Sequence, residues 1–193
     1  MLYIKLNKKA WFGEVLSYTI MRYNSIESRM IETFRYVDCN PLNYDVFSYE
    51  YASILRDVGS VFGSIMDRLV RKTGFLPADE DSNMGHYRKW LTKEIENIHL
   101  VSVGLSYPIQ QRLSPFQLIK HENQSLRWWT AYNNVKHSDI SMFKDGNLRN
   151  ALNSLGAFAI LYAVMDVNNG SGIRLFSEIG FVTPQPTFAD VYG

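Results

Sequence analysis

The sequence predicts an all-α protein: a helical bundle with a long proline-containing loop and an extended C-terminal tail. Three observations predict it. Apolar residues step by three and four along two long segments, capping residues stand ahead of those segments, and glycine or proline follows them. The chain has 193 residues, enough for one domain with a substantial core. Its aromatic share, 14%, is that of a folded chain, since disordered segments are poor in aromatics.

Residues 10–23 read as a short first helix. In "NSIESRMIETFRYV", Asn24 and Glu27 stand at capping-box spacing, and Ile26, Met30, Phe34 and Val37 follow at helical steps, which predicts a second helix. "VDCNPLNYD" then reads as a loop. The clearest helix covers 48–73, with Tyr51, Leu55, Val58, Phe62, Ile65 and Leu69 on one stripe; Ser48 is its expected cap, and Gly74 and Pro77 its stop. "DSNMGHYRKWLTKEIENIHL" carries Tyr87, Leu91, Ile95 and Ile98 in helical register. Residues 102–124, with Pro108 and Pro115, have no sustained period, so they read as a loop that is functional or wraps the core. A short helix is expected over 126–137, capped by Ser125. A long one covers 147–167, capped by Asn147 and apolar nearly all round in its second half, as in a helix buried on several sides. The helices at 48–73 and 147–167 should pack together, with 126–137 alongside. Residues 1–170 are expected to form the bundle, and 171–193 a tail lying against it or against a partner.

Twenty basic and nineteen acidic residues leave a formal charge of +1, so no general pull toward nucleic acid follows, and any such contact needs a local patch. The single cysteine, Cys39, excludes an internal disulfide and a cysteine-based zinc site and fits a reducing cytosol. The first residues lack the apolar run of a signal peptide. The most apolar stretch, 155–165, is about half of the roughly 20 residues a bilayer span needs. The expectation is a cytoplasmic protein with no membrane contact. His86, His99 and His121 stand at no metal-ligand spacing, and "GSVFGS" lies inside a strong helix, so neither metal nor cofactor is expected.

The candidate site is "RWWTAYNNVKHSD", residues 127–139. At about 100° per residue, Trp128, Ala131, Tyr132 and Val135 share a core face, whereas Thr130, Asn133, Asn134 and His137 share the opposite one, with Arg127 at its edge. Asn133 and His137, four apart, are neighbours. An ordinary solvated face would be built from Glu and Lys; this one is built from amides and an imidazole. His137 could equally serve as a helix C-terminal residue set against the dipole. Trp129, unlike Trp128, points away from the core face and is a candidate for base stacking.

"YNNVKHSD" closing one helix and "NLRNALNSLGAFAIL" forming the next resemble the HEPN-like group of small all-helical domains. The resemblance extends to "FSYEYASILRDVGSVFGSIMDRL" and covers roughly residues 45–165. It implies metal-independent RNA cleavage, or RNA binding, by a homodimer that brings two motifs together in bacterial stress or anti-phage defence. Carried over, His137 matches the motif histidine and Asn133 the polar position, while Tyr132 stands where the group has arginine. His137 would then be acid or base, with Lys136, Arg127 and Asn134 as further substrate contacts. The second reading is a non-catalytic helical module whose tail and proline loop engage another protein.

Overall fold

The helix with the most apolar sequence is the one around which the others pack. This is α5 (Leu148–Asn168), described in a computed structural model that covers residues 13–77, 79–95, 97–105, 111–121, 123–137, 140–168 and 182–185. Asn147 caps it as expected, its Oδ1 accepting from the backbone N–H of Asn150 at 3.0 Å. From Ala151 to Met165 every side chain but that of Asn153 is buried. The stretch Leu148–Met165 is long and apolar enough to cross a membrane, longer than the 155–165 run suggests, but 83% of it lies buried inside the fold.

Three helices flank α5: α1 (Gly13–Thr33), α2 (Tyr49–Lys72) and α4 (Arg127–His137). The expected packing of 48–73 on 147–167, with 126–137 alongside, is the arrangement found. Ser48 caps α2 through its hydroxyl, which accepts from Tyr51 N–H at 3.0 Å. Gly74 ends the helix at φ +74°, the left-handed conformation glycine adopts without strain. The Phe75 N–H then reaches the Val70 carbonyl and the Gly74 N–H the Arg71 carbonyl, which is the Schellman pattern.

Two expectations change. Where two helices were expected over 10–23 and 24–37, α1 runs unbroken through Asn24; residues 10–12 lie outside the described residues. Glu27 is buried, and it accepts from the Tyr23 hydroxyl at 2.9 Å, four residues back. Tyr23, Ile26 and Met30 form one buried stripe across the supposed break, so continuing the helix buries more apolar surface than a new cap would return. Phe34 to Val37 lie past its end. Arg29 ties α1 to α2 through Glu50 at 2.8 Å, Ser53 at 2.8 Å and the Asp57 carboxylate.

The second change concerns the predicted loop and tail, so the fold is mostly helical with a small sheet added. Strands β1 (Ser102–Leu105), β2 (Gln111–Leu113) and β3 (Val182–Gln185) form an antiparallel sheet in the order β2-β1-β3. Val103 pairs with Leu113 and with Pro184. Proline is tolerated because β3 is an edge strand, where no second neighbour needs its N–H. The sheet closes the last side of α5 at Gly156, where a Cβ would stand 3.0 Å from Val103 and 3.5 Å from Leu113. Between β2 and α4 the chain is fastened by Arg88, which donates to the His121 carbonyl at 2.7 Å and to that of Gln124, and by Trp128 Nε1 donating to the Pro115 carbonyl at 3.1 Å. Arg88 belongs to α3 (Met84–Glu94), capped by reciprocal bonds between Asn83 and His86. The helix stops before Ile95 and Ile98, which are buried outside it.

The crossing of α2 with α4 is set by one glycine. A Cβ at Gly59 would stand 2.2 Å from the Tyr132 ring, which lies directly over the backbone there. Gly63, one turn on, has only the tip of Trp129 within reach, at 3.5 Å. Gly59→Ala is therefore expected to destabilise by about 1–3 kcal/mol through overpacking. Gly63→Ala should be neutral or gain up to about 1 kcal/mol from helix propensity. Urea unfolding followed at 222 nm distinguishes them, and equal effects would refute this account of the crossing.

Candidate functional site

Helix α4 is held on three sides and presents what remains. Its first turn departs from expectation: the Leu126 carbonyl accepts from Trp129 and Thr130 N–H, both at 3.0 Å, so Leu126, and not Ser125, is the cap residue. The Ser125 hydroxyl instead meets that of Thr130 at 2.8 Å. Burying Leu126 outweighs a side-chain cap worth about 1 kcal/mol. The expected core face is buried in full: Trp128, Ala131, Tyr132 and Val135.

The predicted site residues diverge around the helix. His137 is exposed at its last position, and Asn133 is half-buried one turn earlier. Lys136 is exposed, with its ammonium 5.6 Å from the Tyr132 ring centroid. The half-buried Trp129 ring sits among those of Phe62, Tyr87, Trp128 and Tyr132, at centroid distances of 5.8, 5.9, 5.6 and 5.0 Å. Asn134 turns the other way and donates to Asp145 Oδ2 at 2.7 Å. It lines, with Arg127 and Thr130, a hollow of about 460 Å³ facing the start of α5. Asn133, His137, Lys136 and Trp129 do not line it.

Arg127 also lines an adjoining hollow of about 440 Å³, and here sequence reading missed two partners. Arg112 on β2 and Arg149 in the first turn of α5 border the same space, with Gln117, Asn150 and Asn153, and among the described residues no acidic side chain is in its lining. Arg149 is braced: its guanidinium lies 5.0 Å from the Tyr44 ring centroid and 3.2 Å from Asp45 Oδ1. Arg112 and Arg127 are exposed and have no partner among the described residues. One signal was available in the sequence. Arg127 and Arg149 begin their helices, where the dipole is positive and a cation is disfavoured. Arg149 recovers part of that cost through Asp45 and Tyr44, whereas Arg127 has no partner among the described residues, and both raise the potential an anion would meet.

Other chemistry is poorly served. The Cys39 thiol is buried, and burial pushes its pKa up to about 11, so it is protonated at neutral pH and a weak nucleophile. No family model, curated protein or solved structure matches the chain.

Tyr132 is a core residue, 6% exposed and stacked over Gly59. Tyr132→Arg, which would place a guanidinium at that position, should cost about 3–5 kcal/mol, the loss expected of an uncompensated buried charge. Tyr132→Phe should cost far less, since the ring is kept. Denaturant midpoints for the two variants test this, and wild-type stability for the arginine variant would remove Tyr132 from the core.

Proposed function

We propose that this is an RNA-directed protein of the HEPN-like kind, acting in the cytoplasm in bacterial stress or anti-phage defence. Its primary act is to bind the RNA backbone at the arginine-lined hollow between β2, α4 and α5. The observation that carries the proposal is the convergence of Arg112, Arg127 and Arg149 on one cavity with no acid in its lining among the described residues, Asp45 meeting Arg149 from outside it. Guanidinium groups offer fixed, paired donors to phosphate oxygens, and the starts of α4 and α5 add their dipoles. With a formal charge of only +1 over the chain, such a local cluster is what nucleic-acid binding would need.

Cleavage is the second layer of the proposal. His137 would transfer the proton, with Asn133 and Lys136 stabilising the charge that develops on the phosphate. Ten residues separate Arg127 from His137, about 15 Å of helix rise, so RNA held at the hollow would reach the histidine only across several nucleotides or from a second copy. A homodimer belongs to the proposal for that reason. The apolar surface of α5 is used up within the chain. The second copy would instead meet Tyr36, Leu42, Phe47 and Tyr49, which are more than half exposed, Leu42 at 91%. These exposed side chains equally suit the alternative of a protein-interaction module, to be preferred if RNA binding fails.

Fluorescence anisotropy with single-stranded RNA tests the binding. Arg112→Ala and Arg127→Ala should each weaken it and lower the slope of log K against log salt by about 0.7, the value of one single-strand phosphate contact. His137→Ala should leave affinity unchanged and, where the wild type cleaves, slow cleavage about 10²–10⁴-fold. No binding at low salt would refute the RNA reading, and sedimentation as a monomer at micromolar concentration would remove the composite site.

A further inference from the structure

A second cationic groove lies away from the hollow just described, between α1 and α2. Tyr18, Thr19 and Arg22 line it from α1; Ser60, Ser64 and Arg68 line it from α2, over Val61 and Ile65, around a space of about 380 Å³. Ser60, Ser64 and Arg68 are spaced four apart and so form one row along α2. Among the described residues, the lining holds two guanidinium groups and no carboxylate.

The nearest acids on α2 in sequence are committed elsewhere. Asp57 is paired with Arg29, and Asp67 with Arg71 at 3.0 Å. Arg22 and Arg68 have no partner among the described residues. The Nε of Arg22 is shut off from solvent with no acceptor. Arg22 is half-buried, so the rest of its guanidinium is left to meet whatever occupies the groove.

We propose that this groove binds a phosphate group. An anion seated there would accept from the Arg22 and Arg68 guanidinium groups and from the Ser60 and Ser64 hydroxyls. The space is at the lower end of small-molecule sites and larger than one phosphate requires. The phosphate can therefore be free, part of a nucleotide, or part of an RNA strand. Tyr18, 60% exposed at the rim, offers a face for a base in the last two cases. The site is independent of the RNA reading, for it shares no residue with the other hollow.

The test is isothermal titration of the full chain with inorganic phosphate, against sodium chloride of equal ionic strength. The variants are Arg68→Ala, Arg22→Met and the double variant Arg112→Ala/Arg127→Ala. Arg68→Ala removes an exposed side chain, and Arg22→Met keeps most of the buried stem, so both should fold, as circular dichroism would verify. Each is expected to weaken phosphate binding about tenfold or more, the effect of losing one charge-assisted hydrogen bond. The double variant should keep this binding even where RNA binding is lost. Parallel titrations with a nucleoside 5′-monophosphate and a short RNA assign the source by which binds most tightly. A wild-type response to phosphate no greater than to chloride would overturn the proposal. So would a response that survives in Arg68→Ala and Arg22→Met but disappears in the double variant.

Discussion

Everything in this fold answers to the burial of α5. A helix apolar on every side cannot leave any face in water, since each Leu or Phe left exposed forgoes about 1.5–3 kcal/mol. Three helices cover three sides, with Phe158 meeting Tyr23 of α1 edge to face at 5.6 Å. The fourth side needs something thinner than a helix, and Gly156 with the Val103–Leu113 pair supplies it. The sheet is small because its task is to cover one side of one helix. It also draws a segment near the C-terminus into the domain, for β3 pairs along β1.

The same constraint decides what α4 can offer. It packs against both α2 and α5, so one face is fixed by Trp128, Ala131, Tyr132 and Val135. Tyr132 lies over Gly59, where the two backbones come close, and that position has no room to be turned toward a substrate. A guanidinium cannot stand there in place of the ring. Arg112, Arg127 and Arg149 lie instead on β2 and at the helix starts, where they border open space and leave the core intact.

Much of this was legible in the sequence. The stripes of α2 and α5 are long and regular, Ser48 and Asn147 cap where their positions say they should, and the α4 wheel places its core face correctly but misplaces Trp129, which packs against the core among Phe62, Tyr87, Trp128 and Tyr132. The misreadings share a cause, which is that tertiary gain overrode a local signal. Asn24 and Glu27 have capping-box spacing, but the stripe of Tyr23, Ile26 and Met30 carries the helix through them. Ser125 is a good cap residue, displaced because burying Leu126 is worth more. The strands are three or four residues long, too short for a period, and Leu105 finds its partner at Val182. The arginine cluster was only half legible for a related reason: Arg127 and Arg149 stand at helix starts, but positions 112, 127 and 149 converge only once the sheet and the two helix starts are assembled.

That assembly bears on how the two halves of the candidate site relate. The amide-and-imidazole cluster ending in His137 is a property of one helix, whereas the arginine hollow is a property of the whole fold. Each half uses an opposite end of α4. At the N-terminal end the dipole is positive and the arginines add to it, which suits holding a phosphate. At the C-terminal end His137 stands exposed, with Lys136 beside it and Asn133 one turn earlier, and none of the three lines the hollow. RNA held on the arginines would meet His137 only about 15 Å along the helix axis, a span of several nucleotides. Binding as proposed has no such requirement, because Arg112, Arg127 and Arg149 border one cavity. The proposed cleavage is therefore the part that depends on a second copy.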